Sequence, residues 1–193
     1  MTVTADRDAR REVLLAAADR VVQRDGASAS MAAIAAEAGI TKPILYRHFR
    51  DKSGLYAALA ERHTDTLLDT LVDALTGGGT PRERVRRTID TYLATIEEQP
   101  QVYRFLVLSE EAASADGQVR GFLRRLQELL AAGIAHELSL EAEDLRSFVW
   151  AAGIVGMVQS AGERWLEVQD CTRDTLAGLL TDLLWGAYGT AAD

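Results

Sequence analysis

The sequence has a single cysteine, Cys171, among its 193 residues. One cysteine cannot form an intrachain disulfide or supply the several thiolates of a structural zinc site. Long apolar runs are also missing, since the longest, Phe148 to Val158, has eleven residues and a membrane-spanning helix needs about 20. The charged amino-terminal segment lacks the apolar stretch of a signal peptide. The sequence therefore predicts a cytoplasmic protein that has no membrane partner and is stabilised by a hydrophobic core.

Proline is scarce, at positions 43, 81 and 100 only, and no segment alternates apolar and polar residues as a half-buried strand would. Apolar residues instead recur at intervals of three and four, which is the helical period. Polar caps and glycine or proline breaks, such as Gly77 to Pro81, divide this pattern into nine helices. One predicted break is the Asp116-Gly117 turn, with the next helix beginning at Val119. The pattern predicts an all-α fold.

Patterns typical of catalytic, metal and cofactor sites are also missing. The three histidines, at positions 48, 63 and 136, are far apart and have no ligand-like spacing. The glycines at 77–79 are not followed by the Lys-Ser/Thr pair that a phosphate-binding loop requires. We therefore expect no catalytic residues, no metal and no cofactor, and a protein that is not an enzyme.

Charge is distributed unevenly along the chain, whose formal net charge is −8. Residues 1–56 contain nine basic and seven acidic side chains, a net charge of +2, and the remainder carries −10. Both lysines of the sequence, Lys42 and Lys52, lie in the first part. A small basic region on an acidic protein points to a nucleic-acid surface near the amino terminus.

The segment 30–49, SMAAIAAEAGITKPILYRHF, has the spacing of a helix-turn-helix motif. Ala35 is small enough for two helices to cross closely, and Gly39 permits the positive φ of the sharp turn between them. Ile34, Ile40 and Leu45 supply the apolar contacts between the helices. Such a motif presents its second helix to the DNA major groove. A generic helical hairpin is the alternative interpretation.

The residues that follow the turn favour DNA over the generic hairpin. Six side chains that can donate hydrogen bonds to phosphate oxygens fall within eleven residues: Lys42, Tyr46, Arg47, His48, Arg50 and Lys52.

This part of the sequence resembles the TetR family of bacterial transcriptional regulators. The resemblance is carried by Gly26, Ser30, Ile34-Ala35, Ala38-Gly39-Ile40-Thr41, Leu45-Tyr46, His48-Phe49, Lys52 and Leu55. It implies a three-helix DNA-binding head over residues 8–68 and a helical ligand-binding and dimerisation body over residues 69–193.

The resemblance also implies roles for individual side chains. Phosphate contacts are expected from Ser30, Thr41, Tyr46, His48 and Lys52. Base-edge or groove contacts are expected from Lys42, Pro43, Ile44 and Arg47. The fork of Arg47 suits guanine, but a phosphate contact remains an equal alternative.

Two further features lie near this motif: the residues that follow Lys52 and the arginines of the first helix. Acidic residues often follow the family's lysine, but Ser53-Gly54 follows Lys52 here. Glycine costs up to about 1 kcal/mol in a helix relative to alanine, so we expect a looser start to the next helix. Arg7, Arg10 and Arg11 either form an arm that reaches the minor groove or lie on a solvated helix face.

For the body, the resemblance implies a chamber for a small effector. The aromatic candidates, with few buried charges among them, favour a hydrophobic or amphipathic molecule. Core packing is the alternative for each candidate lining residue: Tyr92, Tyr103, Phe105, Phe122, Trp150, Met157 and Gln159.

The last two helices are too apolar for the surface of a monomer, which predicts that they pair with a second copy in a homodimer. An internal core is the alternative for the predicted interface residues: Ile154, Val155, Val158, Trp165, Leu176, Leu180, Leu183 and Leu184.

Together these features predict a repressor that binds a pseudo-palindromic double-stranded DNA operator as a dimer and is released by its effector. The alternative function is that of a helical small-molecule binding protein without sequence-specific DNA binding.

Overall fold

A computed structural model describes residues 2–108, 112–141 and 143–189, with side chains described for residues 9–26, 28–106, 117–141 and 143–186. The described residues form nine α-helices and one 3₁₀ turn (Gly26–Ser28), and they contain no strand. The all-α prediction is therefore confirmed. The helices are α1 (Thr2–Asp25), α2 (Met31–Glu37), α3 (Lys42–Phe49), α4 (Lys52–Thr76), α5 (Pro81–Glu98), α6 (Pro100–Leu108), α7 (Ala112–Glu137), α8 (Leu145–Val168) and α9 (Arg173–Gly189).

One predicted boundary is wrong. The Asp116-Gly117 pair does not form a turn, because α7 runs through it from Ala112 to Glu137. A glycine costs a helix about 1 kcal/mol relative to alanine. Burial of Phe122, Ala131 and Ala135 along the same helix offsets that cost, since each buried side chain contributes through the hydrophobic effect.

The helices form two compact units, residues 1–64 with 99–120 and residues 65–98 with 121–193. The predicted body began at residue 69; the structure groups α6 and residues 112–120 of α7 with the first unit. Helix α6 belongs to the first unit because its apolar side chains pack there: Val102, Phe105 and Leu106 are buried in the core of that unit. The ring of Phe105 meets the ring of Tyr56 edge-on, with centroids 4.6 Å apart.

The core of the first unit holds its short helices in place. Residues of α1 such as Leu14 and Val21 are buried with Ile34 of α2 and Leu45 of α3. The buried hydroxyl of Tyr56 on α4 donates to the carbonyl oxygen of Ala29 at 3.2 Å. The segment before α2 is thereby tied to α4.

In the second unit, both α8 and α9 pack on α5. Helices α8 and α5 approach closely at Gly162 of α8, where a Cβ atom would lie 3.0–3.3 Å from side-chain atoms of Ile96, Tyr92 and Leu93. Arg173 of α9 donates to the carboxylate of Asp90 at 3.0 Å. Further ion pairs between α5 and α9 join Arg82 to Asp182 and Arg86 to Asp174.

A reciprocal cap begins α5. The backbone N–H of Thr80 donates to Glu83 Oε2 at 2.8 Å, and the N–H of Glu83 donates to Thr80 Oγ1 at 3.3 Å. This is a capping box, which satisfies two N–H groups that the helix itself cannot pair. The bond from Thr80 lowers the pKa of Glu83, so the cap stabilises the fold above the ordinary glutamate pKa and is lost as pH falls through the lowered value.

None of the helices in the described part of the chain is long and apolar enough to cross a membrane.

Candidate nucleic-acid interface

The corner between α2 and α3 has the predicted construction. Gly39 lies at φ +65°, its N–H donates to Ala36 O at 3.0 Å, and the N–H of Ile40 donates to Ala35 O at 2.9 Å. This pair of bonds is a Schellman motif, which ends a helix with a residue in the left-handed conformation. Ala35 is buried at the corner. The corner therefore fixes the direction in which α3 leaves α2.

Two helix starts lie beside this corner. Ser30 caps α2, because its Oγ accepts a hydrogen bond from the N–H of Ala33 at 3.2 Å. Thr41 occupies the same position before α3, but its side chain makes no capping bond. The exposed Thr41 hydroxyl is therefore available to a ligand outside the protein.

The two faces of α3 differ sharply. Leu45 and Phe49 are buried in the core of the first unit, and Ile44 and His48 are half-buried. The opposite face is exposed, with residues at intervals of one helical turn: Lys42, Pro43, Tyr46 and Arg47. This exposed face of α3 combines two cations with a phenol and presents donors outward.

The basic side chains of this face are not neutralised by any residue whose side chain the structure describes. Neither Lys42 nor Arg47 forms an ion pair with another residue that the structure describes. Most arginines described in the second unit, in contrast, pair with carboxylates: Arg82, Arg84, Arg86, Arg124, Arg125, Arg146, Arg164 and Arg173. Unpaired cations on one helix face form a surface suited to polyanion binding.

The start of α4 explains the glycine that departs from the family pattern. A Cβ atom at Gly54 would lie 2.1 Å from the carbonyl oxygen of Phe49. The N–H of Gly54 donates to Asp51 Oδ1 at 2.7 Å, which caps this end of α4. We expected this glycine only to loosen the start of α4. The structure shows instead that glycine is required at position 54, because the end of α3 lies too close for a side chain.

Lys52, at the first position of α4, is half-buried. Its Nζ lies 5.1 Å from the centroid of the Tyr56 ring, within range of a cation–π contact. The ammonium group is therefore held in a defined place beside the end of α3.

The arginines of α1 lie on a helix rather than on an extended arm. The backbone is helical from Thr2, and the Arg11 guanidinium lies 4.7 Å from the centroid of the Phe49 ring. Arg10 is exposed. The side chain of Arg7 lies outside the described residues.

The sequence places Arg50 in the basic cluster but assigns it no role. Arg50 follows α3 with φ +64° and ψ −58°, and it is exposed. No sequence pattern marks this conformation, because the usual signal for a positive φ is glycine or asparagine.

The predicted effector residues do not all lie in one unit. Tyr103 and Phe105 belong to the first unit, where Phe105 is 3% exposed in the core. The other five belong to the second unit: Tyr92, Phe122, Trp150, Met157 and Gln159. Of these, Gln159 donates to Glu163 Oε1 at 3.2 Å along α8.

The predicted dimer residues are divided between core and surface. Five are buried within the chain itself: Val155, Val158, Trp165, Leu180 and Leu184. These five belong to the core of the second unit, where α8 and α9 pack on α5. Each is at most 9% exposed, which leaves little surface for a partner. Ile154 and Leu176 are half-buried, and Leu183 is 60% exposed.

Other large apolar side chains on α8 and α9 are exposed, and several of them belong to the apolar segments that led us to predict a dimer. They are Leu145, Phe148, Val149, Val168 and Leu179. Spacings of three and four residues place Leu145, Phe148 and Val149 on one stripe of α8. Glycines and alanines on the same helix, Ala152, Gly153 and Gly156, are also exposed. We call the exposed apolar residues of α8 and α9 the apolar surface of the second unit.

Comparison with known proteins covers almost the whole chain. Residues 14–59 match the family model described as bacterial regulatory proteins of the tetR family. Residues 70–193 match the model described as a tetracyclin repressor-like C-terminal domain. A crystal structure of a tetR-family transcriptional regulator from Streptomyces coelicolor has a TM-score of 0.78 and 22% identity, covering 95% of this chain and 85% of that one.

Curated relatives agree with these matches. An uncharacterised HTH-type transcriptional regulator of Mycobacterium tuberculosis is 33% identical over 180 residues, covering 92% of this chain and 76% of the relative. The HTH-type transcriptional activator FasR of Mycolicibacterium smegmatis is 31% identical over 163 residues, covering 83% and 74%. The chain therefore belongs to the TetR family and is a ligand-responsive, DNA-binding transcriptional regulator.

Proposed function

We propose that the protein is a cytoplasmic repressor that binds a pseudo-palindromic operator as a homodimer. The exposed face of α3 carries this proposal, because its cations have no carboxylate partners among the described residues. Each α3 enters a major groove, and two copies read half-sites about one helical turn of DNA apart.

Within this interface, the side chains divide by the chemistry that they can reach. Lys42, Pro43, Ile44 and Arg47 lie on the first turns of α3, which in helix-turn-helix proteins meet the base edges. Arg47 suits a guanine because its fork matches O6 and N7. Phosphates are bound by the other predicted contacts: Ser30, Thr41, Tyr46, His48 and Lys52.

The operator can be obtained without knowledge of the regulated genes. Purified protein is used to select duplexes from a random-sequence pool, and the enriched sequences are read. Enrichment of a two-fold symmetric sequence supports the proposal. Failure to retain any duplex even at low salt contradicts it and favours the helical small-molecule binding protein without sequence-specific DNA binding.

Removal of a lysine is expected to weaken binding in a salt-dependent way. Lys42→Ala and Lys52→Ala each remove one cation. Where that cation binds a phosphate, its removal lowers the slope of log affinity against log salt by about 0.9. Titration of the selected duplex between low and physiological salt measures this slope. A cation that touches a base instead weakens binding with less change in slope.

The matched control for these lysines is Arg124→Ala. Arg124 is an exposed cation of α7 that is paired with Glu128 at 2.9 Å. Its removal is expected to leave both affinity and slope unchanged. Unchanged slopes in both lysine variants would contradict the phosphate assignments.

For dimerisation, we propose the apolar surface of the second unit as the contact between two copies. Leu179 and Leu183, on one stripe of α9, are 61% and 60% exposed. Several large apolar side chains exposed on one helical stripe are typical of an interaction site in a soluble protein. Glycine and alanine residues on α8 allow the helices of two copies to approach closely.

We propose a hydrophobic or amphipathic effector that binds in the second unit, near the aromatic candidates Tyr92, Phe122 and Trp150. Helix α4 is continuous from the first unit, residues 52–64, to the second, residues 65–76. An effector that favours one arrangement of this helix releases the operator. The effector can shift the equilibrium between the operator-binding and the operator-releasing conformation only by the difference in its affinity for these two conformations.

The effector class is tested by thermal unfolding in the presence of small molecules. Amphipathic probes such as decanoate are expected to raise the melting temperature, since a ligand at 100 times its Kd stabilises by about 2.7 kcal/mol. Glucose and glutamate serve as hydrophilic controls. Stabilisation by the hydrophilic compounds alone would contradict the proposed class.

Repression is proposed because a dimer that occupies a promoter blocks transcription without any further contact. The relative from Mycolicibacterium smegmatis is an activator. Transcription in vitro from a promoter that overlaps the selected sequence distinguishes the two: added protein lowers the transcript level if it represses and raises it if it activates.

A further inference from the structure

The turn between α3 and α4 has an unusual backbone. The N–H of Arg50 donates to Tyr46 O at 2.7 Å, and the N–H of Asp51 donates to Phe49 O at 2.7 Å. The second bond spans three residues and is centred on Arg50, whose φ and ψ are +64° and −58°. These values describe a γ-turn of the rare and strained kind. An arginine therefore occupies a conformation that a glycine would adopt at no steric cost.

The neighbouring contacts hold this turn in place. The carbonyl of Phe49 points at Gly54 and leaves no room for a Cβ atom there. Asp51 caps α4 through the N–H of Gly54, and Phe49 is buried in the core. The backbone at Arg50 is thus imposed from both sides, which is the condition under which a strained residue persists.

Arg50 directly follows the exposed face of α3 and is itself exposed. Its exposed neighbours on α3 are Lys42 and Tyr46, one helical turn apart, and Arg47. Arg50, like Lys42 and Arg47, forms no ion pair with another described residue. Arg11 adds a second guanidinium beside the same turn, stacked on the ring of Phe49.

We propose that Arg50 is a phosphate-binding residue at the edge of the DNA interface, retained at a strained position for the sake of its charge. The proposal rests on the proposed function and extends it past the end of α3. A backbone contact is favoured over a base contact, because base edges are met by the amino-terminal residues of a recognition helix. Strained residues are found preferentially at functional sites.

The test separates fold stability from DNA affinity with one substitution. Arg50→Gly removes the strain and the charge together. We expect the melting temperature to rise by about 2–4 °C, the shift typical of a small stabilisation in a domain of this size. We also expect the affinity for DNA to fall about three- to tenfold per protomer, with the salt slope smaller by about 0.9 for each phosphate that is no longer neutralised.

The probes are the duplex selected from the random pool and a 40-base-pair duplex of mixed sequence. Because phosphate contacts carry no sequence information, both are expected to lose affinity alike. Arg50→Lys keeps the charge and is expected to retain the salt slope of the natural protein on both duplexes.

The matched control is Ser139→Gly. Ser139 lies at φ +52° after α7, where the N–H of Leu140 donates to Ala135 O at 2.8 Å. Glycine there also relieves a positive φ and is expected to raise the melting temperature, but without any change in DNA binding.

The outcomes are distinct. An unaltered affinity and salt slope in Arg50→Gly, with the natural protein binding both duplexes, overturns the phosphate contact alone. A lowered melting temperature in the same variant overturns the argument from strain. Failure of the natural protein to bind either duplex defeats the proposed function itself.

Discussion

Gly54→Ala is expected to abolish operator binding and to lower the free energy of unfolding by about 3 kcal/mol or more, a change that point substitutions reach only through a severe structural conflict. The added methyl group would lie 2.1 Å from the carbonyl oxygen of Phe49. This neighbour is backbone at the end of α3, so relief requires α3 to move relative to α4. Denaturant unfolding and electrophoretic shift of the selected duplex measure the two effects.

A matched control is Gly121→Ala in the middle of α7, where nothing lies within 4 Å of the added Cβ. There alanine is expected to stabilise the protein by about 0.5–1 kcal/mol, because glycine loses more backbone entropy in a helix. DNA affinity should not change. If the two alanine variants behave alike, the close approach of α3 to α4 is not what the glycine serves.

The double substitution Leu179→Glu with Leu183→Glu is expected to convert the proposed dimer into a monomer and to weaken operator binding at least about 100-fold. Each half-site contributes only part of the binding free energy, and every 1.4 kcal/mol removed is a tenfold change. Both side chains are more than half exposed, so the fold of one chain should survive. Sedimentation measures the oligomeric state, and circular dichroism checks the fold.

Leu129→Glu is the control for this pair. Leu129, on α7, is also an exposed large apolar residue, but it lies outside α8 and α9. It should leave the dimer and the operator affinity intact. Persistence of a dimer in the α9 double variant would place the contact between copies elsewhere.

Local features of the fold could be predicted from the sequence because neighbouring residues decide them. Ala35 and Gly39 mark the corner of the motif by size and by backbone freedom, and both behave as predicted. Ser30 and Asp51 cap their helices through bonds to N–H groups only three residues away. The positions of the DNA-binding candidates on α3 follow from these short-range rules.

Features that depend on distant contacts could not be predicted in this way. Helix α8 is apolar on nearly all sides, so the spacing of its apolar residues does not reveal which side faces the core. Val155 and Val158 are buried whereas Val149 is exposed, and only the packing on α5 decides between them. The strained turn at Arg50 likewise depends on where α4 meets α3.

The position of Phe105 in the first unit has a consequence for protein engineering. The DNA-reading module of this chain is not a contiguous stretch of sequence, since its interior is completed by a helix that follows residue 98. A chimera that joins residues 1–64 to the body of a relative loses its own α6 and receives the corresponding helix of the relative. Grafts of DNA specificity between such regulators must therefore carry α6 along, or redesign the ring pair that it forms with Tyr56.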